Sequence, residues 1–342
     1  MSLKHISVVI LNWNGKAFLE QFLPAVVANS GDAKIIVEDN QSTDSSVAFL
    51  QENYPEIQLI INKENGGFAK GYNDALKQVD NELYVLLNSD IEVTPDWLLP
   101  LKKVMHDKTV AGCQSKIKSF HDKNSFEYAG AAGGFIDKNY YPFCRGRIFD
   151  HTEADFGQYN ETSEVFWATG ACLMIRSDIF HKVGGFDEDF FAHMEEIDLC
   201  WRIKKLNLKL MVCPTSTVYH VGGGTLPYNS PKKIYLNFRN SLIMITKNHE
   251  GLLFPKLAHR LILDGVAAAK FLFNGELKNI LAVFNAHMWY YSKLRSTLKK
   301  RKTIKAQSTQ FNPTGFYKGS ILVAYFWKKI SCYSKLDQRL FK

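Results

Sequence analysis

Ile6-Ser-Val-Val-Ile-Leu-Asn-Trp-Asn-Gly15 opens with a run that is apolar at almost every position and closes on a polar turn. A strand with one wet face alternates apolar and polar residues. Ile6–Leu11 does not, so it predicts a strand covered on both faces, as in a parallel sheet flanked by helices. The same pattern recurs downstream. Ala17–Asn29 reads as a helix with Pro24 as its irregularity, Lys34–Glu38 as a strand, and Ser45–Asn53 as a helix capped by Asp44 or Ser45. Ile57–Ile61, Phe68–Gln78 and Leu83–Leu87 read as strand, helix and strand; helix Pro95–His106 and strand Val110–Cys113 follow.

Strands and helices alternating at this spacing make βαβ units. The expected fold class is therefore α/β, a Rossmann-like, mostly parallel sheet with helices on both faces. Ligands of such sheets bind beyond the carboxyl ends of the strands. The polar clusters Asn12–Gly15, Asp39–Asp44, Asn65–Gly67 and Asn88–Asp90 all fall there.

Farther on, residues 114–165 are irregular, aromatic and glycine-bearing, and predict a mixed β and loop region over the acceptor side. Phe166–Arg176 reads as a strand, Glu195–Lys205 as a helix, Leu208–Cys213 as a strand and Val221–Thr225 as a glycine-rich loop. After Arg239 the pattern becomes that of long amphipathic helices.

The 342 residues and 46% hydrophobic content suffice for one large core plus an appended segment. Charge divides unevenly. Residues 246–342 hold 18 Lys/Arg against 4 Asp/Glu, a net +14, whereas residues 1–245 hold 24 against 30, a net −6. An acidic body thus carries a basic tail, suited to phosphate or anionic lipid. Six cysteines without a CxxC pair predict reduced, packed thiols of a cytoplasmic protein. Met1–His5 runs straight into the first strand, with no expected secretory signal, and Leu261–Phe273 is too short and too interrupted to cross a bilayer.

Several of the strand-end residues bear chemistry. Asp90 after strand Leu83–Leu87 suits Mg²⁺ or Mn²⁺ held against a diphosphate, because hard cations take oxygen ligands; it is equally a turn residue. Asp39 can accept from a base N–H or a ribose hydroxyl, or simply cap, as Asp44 does. Asn65-Gly-Gly67 before a helix admits a ligand to the backbone and aims N–H groups at anions. Glu195, Glu196 and Asp198 open a helix behind an aromatic run, and one of them can deprotonate a hydroxyl, although an acidic first turn also complements the helix dipole. His220 reads as a metal or phosphate ligand or as a packed imidazole.

Together these pieces resemble the family 2 inverting glycosyltransferases of the GT-A fold, most of all the bacterial rhamnosyltransferase-like branch. The resemblance spans residues 5–245 and is carried by Asn12-Trp-Asn-Gly15, Val37–Asp44, Asn65–Gly71, Leu87-Asn-Ser-Asp90, Thr169–Arg176, Glu195–Arg202 and His220. It implies a metal-dependent enzyme that takes a nucleoside-diphosphate sugar (dTDP-rhamnose or a UDP-sugar) and glycosylates a saccharide or lipid-linked acceptor in surface polysaccharide synthesis. Residues Asn12, Asn14, Asp39, Asn65, Gly66, Gly67, Lys70, Asn88 and Ser89 would hold the nucleotide sugar, and Asp90 with His220 the Mg²⁺ or Mn²⁺. Trp167, Thr169 and Gly170 would line the acceptor side. The chain departs from the family at the base, where Glu196 stands in place of the usual Asp.

On this reading residues 1–245 are the catalytic domain, with 1–113 for the nucleotide sugar and 114–245 for the acceptor and base. Residues 246–342 are a basic amphipathic helical extension. Lys293–Lys305 behind Trp289-Tyr-Tyr291 suits attachment to an anionic membrane surface at the inner face of the plasma membrane, or else a dimerisation arm. Nucleic acid is not an expected partner, since no reader motif is present. Two alternatives remain at this stage. A sugar-phosphate nucleotidyltransferase would need a basic, glycine-rich loop after the first strand, where Asn12–Lys16 offers one Gly and one Lys. An inactive sugar-binding protein would have no need of Asp39, Asp90 and the acidic helix start.

Overall fold

The computed structural model describes residues 2–222 and 230–342. β1 (Ile6–Asn12), α1 (Lys16–Asn29), β2 (Lys34–Asp39), α2 (Ser46–Asn53), β3 (Gln58–Ile61), α3 (Gly67–Leu76) and β4 (Leu83–Asn88) alternate as the sequence requires. β5 (Ile91–Val93), α4 (Leu98–Val104) and β6 (Val110–Ser119) follow, then the short strands β7 (Gly134–Asp137), β8 (Pro142–Cys144), β9 (Arg147–Ile148), β10 (His151–Thr152) and β11 (Ser163–Val165). Next come β12 (Cys172–Arg176), α5 (Ser177–Lys182), α6 (Glu195–Lys204) and β13 (Lys209–His220). Helices α7 (Pro231–Asn248), α8 (Leu253–Phe273) and α9 (Leu277–Gln307) precede β14 (Phe316–Tyr317).

The main sheet runs β11-β13-β6-β12-β4-β1-β2-β3, with β5 added on β13. β3, β2, β1 and β4 are mutually parallel, and β12 enters antiparallel between β4 and β6. The chain leaves β1 for β2 on one side and later returns to β4 on the other. That reversal opens a crevice at the strand carboxyl ends. Register puts Asn12 beside Asp39 and Leu11 beside Asn88, so three of the polar clusters share one edge. Val8, Val9, Ile36 and Val85 are wholly buried, as a doubly covered sheet demands.

Three strands differ from the sequence reading. β6 and β13 run far past Cys113 and Cys213, because the two pair in parallel up to Ser119 and His220. Their register slips between Cys213 and Thr217, where Pro214 has no N–H to give. β12 starts only at Cys172, since the backbone of Trp167 bridges instead to Gly134 of a second, five-stranded sheet. That sheet, β10-β9-β8-β7-β14, is what residues 114–165 build, and β14 joins it in parallel to β7. The expected loop Val221–Thr225 lies outside the described residues from 223 onward. All six cysteines are free and five of them are buried.

Candidate active site

At the β1–β2 edge, Asn12 and Asp39 are both buried. Asn12 Nδ2 donates to Asp39 Oδ2 at 2.8 Å and to Ser42 Oγ at 3.2 Å, and Ser42 N–H donates to Asp39 Oδ1 at 2.7 Å. Asn14 is left-handed (φ 51) and its Oδ1 accepts from Thr43 N–H at 2.7 Å. Asp44 accepts from Lys16 N–H at 3.1 Å and from Ser46 N–H at 3.0 Å, thereby tying the starts of two helices. These bonds preform a rim on which half-exposed Trp13 stands. They also occupy the N–H groups of Asn14 and Lys16, so this turn is not a triphosphate cradle.

The glycine turn is tied into the protein by its own hydrogen bonds. Gly67 N–H is held by Asn65 Oδ1 at 2.9 Å and Ala69 N–H by Phe191 O at 3.2 Å, so two of the first N–H groups of α3 bond to protein oxygens. Gly67 (φ 73) admits the Phe191 carbonyl; a Cβ there would sit 2.5 Å from that oxygen. Asn40 Nδ2 bonds both Asn65 Oδ1 (3.1 Å) and Gly67 O (3.0 Å), while Gly66 packs on the Lys70 stem. Lys70 itself pairs with Asp74 and Glu64. Beside them lies a residue the sequence did not flag. Burial, reinforced by Asp39 and Asp74, pushes Glu38 up to about 8, so it is largely neutral at pH 7.

Beyond β4, Asp90 Oδ1 lies 3.1 Å from His220 Nε2, and Asn88 Nδ2 lies 3.4 Å from the same nitrogen. Val221 N–H on Asp90 O (3.1 Å) fixes the end of β13 against this turn. Ser89 adjoins the position a Gly15 Cβ would take, at 3.4 Å. Glu127, in the irregular region, puts Oε2 at 3.1 Å from His220 Nδ1. Burial opposes a charged imidazole, yet the carboxylates of Asp90 and Glu127 outweigh it and push His220 up to about 10. Among the described residues no cluster of three or more metal-type side chains forms a complete cage. Once the proton on His220 Nε2 is displaced, the facing oxygen and nitrogen of Asp90 and His220 fit a divalent cation that takes its remaining ligands from phosphate and water.

The acidic helix start separates into three roles. Asp198 is wholly buried; Arg202 Nε (2.9 Å) and Lys247 Nζ (2.8 Å) reach its Oδ2 and Asn248 Nδ2 (2.7 Å) its Oδ1. It is a structural anchor for α7, which removes it as a candidate base. Burial and the neighbouring Glu196 raise Glu195 well above its ordinary carboxylate value, so its charged form is disfavoured. Glu196 is partly exposed, its Oε2 has no partner, and burial pushes it up to about 7. That value suits a group that must take a proton near neutrality.

The loop before α6 is strained, with Phe191 (φ 63), His193 (φ 68) and Met194 (φ 72) all left-handed. Each such residue costs about 1–3 kcal/mol unless its surroundings hold it. Here α7 holds it. Asn240 Nδ2 donates to the carbonyls of Phe190 (3.0 Å), Ala192 (2.8 Å) and His193 (2.7 Å), and Arg239 Nη2 to Phe190 O (2.7 Å). Asn240→Ala is expected to cost about 1–3 kcal/mol of stability for the stranded carbonyls. It should also lower kcat about tenfold or more by releasing Glu196, with donor KM nearly unchanged. A steady-state comparison checks this, and a wild-type kcat in the folded variant removes Asn240 from base positioning.

Of the residues expected on the acceptor side, Trp167 and Thr169 are turned inward. Trp167 is buried, donates Nε1–H to Phe135 O at 2.9 Å and packs on Gly134, so it belongs to the core between the sheets. Thr169 is also buried; its N–H bonds Gln114 Oε1 and its Oγ1 accepts from Ala171 N–H. A Cβ on Gly170 would lie 2.8 Å from Phe68 and 3.7 Å from Glu196 Cβ. The next residue's carbonyl, Ala171 O, accepts from Asn88 N–H at 3.0 Å. The Gly170-Ala171 backbone therefore bridges Glu196 and the Asn88–Asp90 turn.

Comparisons with known proteins agree with this fold. The chain is 22% identical to a low-salt glycan biosynthesis hexosyltransferase of Haloferax volcanii, over 83% of this chain and 90% of that one. It is 24% identical to an N-acetylglucosaminyl-diphospho-decaprenol L-rhamnosyltransferase of Mycobacterium tuberculosis, over 72% of this chain and 85% of that one. A mannosyltransferase of Pyrobaculum calidifontis, solved with GDP-Man and Mn²⁺, superposes with a TM-score of 0.52 at 15% identity, covering 95% of this chain and 88% of that one. The glycosyl transferase family 2 model matches residues 7–184, which include β1 through β12 and the Asn12, Asp39 and Asp90 positions, and the chain belongs to that family.

Proposed function

We propose that the chain transfers a sugar, with inversion, from a nucleoside-diphosphate donor to a hydroxyl of a lipid-linked saccharide. The product would be a cell-surface polysaccharide built from the cytoplasmic side of the membrane. The observation that carries this reading is the Gly170-Ala171 backbone, which adjoins the Glu196 side chain on one side and accepts from Asn88 of the Asn88–Asp90 turn on the other, with the Glu196 carboxyl pushed up to about 7. The name of the rhamnosyltransferase relative supports a lipid diphosphate acceptor, and the GDP-Man bound in the mannosyltransferase structure supports a nucleoside-diphosphate donor.

Asp90 and His220 would hold Mg²⁺ or Mn²⁺, and the cation, when bound, neutralises charge on the departing diphosphate. The nucleotide seats at the β1–β2 edge over Asp39, on the rim made by Asn12, Asn14 and Ser42. Glu196 accepts the acceptor hydroxyl proton as the oxygen attacks the anomeric carbon, while burial disfavours a second negative charge on Glu195 beside it. Asn240 and Arg239 keep Glu196 in place through the loop they bind.

A transfer and hydrolysis screen over dTDP-rhamnose, UDP-sugars and GDP-mannose, with Mn²⁺ or Mg²⁺, tests the reading. One donor should turn over well above the rest and yield a product of inverted anomeric configuration by NMR. A retained configuration, or no donor bound by calorimetry, would sink it.

A further inference from the structure

Among the described residues, 18 large hydrophobic side chains are exposed, and 14 of them lie after residue 245. They are ordered rather than scattered. On α9, Leu277, Leu281, Phe284, Met288 and Tyr291 recur at intervals of four and three and are 44–66% exposed, so they form one continuous stripe. On α8, Ile262, Val266 and Phe273 are 64–89% exposed, with Phe273 at the tip of the hairpin. A patch of this extent is rare on a surface that stays in water.

The charges around the stripe have one sign. Residues 251–307 contain eleven Lys/Arg and only two acids. Asp264 is buried against Arg260 (2.7 Å) and His287 (3.1 Å), and Glu276 accepts from Asn274 and Asn279. Lys270, Lys278, Lys293 and Arg295 stay exposed beside the apolar side chains. The basic residues that do serve the body are others: Lys247 and Lys300 both neutralise Asp187, and Arg301 bonds Thr246 O. Two copies meeting on this face would bring like charges together, whereas an anionic bilayer offers headgroups to the lysines and acyl chains to the stripe. No described helix is long and apolar enough to cross a membrane.

We propose that the outer face of the α8–α9 hairpin is a docking surface for an anionic phospholipid bilayer, on which the hairpin lies in the headgroup plane. The surface leads towards the chemistry. Beside the stripe, between α7 and α9, is an open groove of ≈ 720 Å³ lined by Tyr235, Leu281 and Trp289 among others. Arg239 stacks on Tyr235 (5.2 Å) and Trp289 (4.5 Å) and reaches Phe190 O in the base loop. Arg239 thus links the groove wall to the loop that precedes Glu196.

Sedimentation of the full chain with vesicles tests this without donor or acceptor, so failure here leaves the transferase reading standing. The vesicles are phosphatidylcholine alone, or phosphatidylcholine and phosphatidylglycerol in equal parts. Wild-type protein should pellet with the mixed vesicles and be released by salt. Leu281→Ser/Phe284→Ser/Met288→Ser and Lys278→Glu/Lys293→Glu should each weaken partitioning by about tenfold or more. Near-UV circular dichroism of these exposed-site variants should match wild type. Wild-type protein that stays in the supernatant with both vesicles overturns the proposal. A concentration-dependent dimer that the apolar triple substitution abolishes, with no vesicle binding, also overturns it and assigns the face to a second copy.

Discussion

Glu196→Gln is expected to lower sugar transfer by about 10²–10⁴-fold, the range lost when a general base is removed, with Tm unchanged or raised. The amide is nearly isosteric and no longer bears the cost of burying an acid, so the fold loses nothing. The pH profile supplies the second signature. Burial holds Glu196 at about 7, and only its deprotonated form accepts a proton. The wild-type kcat/KM should therefore rise about tenfold per pH unit below that value and level off above it. In Glu196→Gln that limb should vanish. Glu195→Gln, by contrast, replaces a group whose charged form burial already disfavours and should keep most activity. Near-normal turnover in Glu196→Gln together with a dead Glu195→Gln would move the base by one residue.

Asp90→Ala should be of similar severity. A cation bound there contributes several kcal/mol of charge stabilisation in the transition state, and each 1.36 kcal/mol is a factor of ten. A loss of about 10²–10⁴-fold follows, with donor binding weakened and added Mn²⁺ unable to restore the rate. The variant leaves Glu127 as the one carboxylate at hydrogen-bond distance from His220 among the described residues. Wild-type protein treated with EDTA should fall to the same level and recover with Mn²⁺ or Mg²⁺. A variant within tenfold of wild type, still sensitive to EDTA, would place the metal on other ligands.

The alternation of strands and helices was legible in residues 6–113 because each apolar run is local and unbroken. The strand-end residues Asn12, Asp39, Asn88 and Asp90 were legible for the same reason, since a parallel sheet gathers its carboxyl ends automatically. Contacts made across long separations were not. Glu127 sits in an irregular stretch with no spacing of its own and reaches His220 only through the pairing of β6 with β13. Asp198 resembled its acidic neighbours until Lys247 and Asn248, from a helix some fifty residues on, claimed both of its oxygens. The Asn65–Gly67 turn displayed a phosphate-loop composition, but its freedom is spent on a protein carbonyl. Arg239 and Asn240 lie inside an ordinary helical pattern, and nothing local marks them as the clamp of a strained loop.

The parallel pairing of β14 with β7 has one more consequence. It makes the α7–α9 segment a closed handle, fastened to the body at α7 and again at β14, rather than a free appendage. Cutting the chain after residue 245 would not detach a module. It would bare the β7 edge, strip Lys247 and Lys300 from Asp187, and leave Asp198 without two of its donors. Transplanting the handle between relatives would likewise require moving both of its fastenings, so the segment and the small sheet are expected to be inherited as one piece.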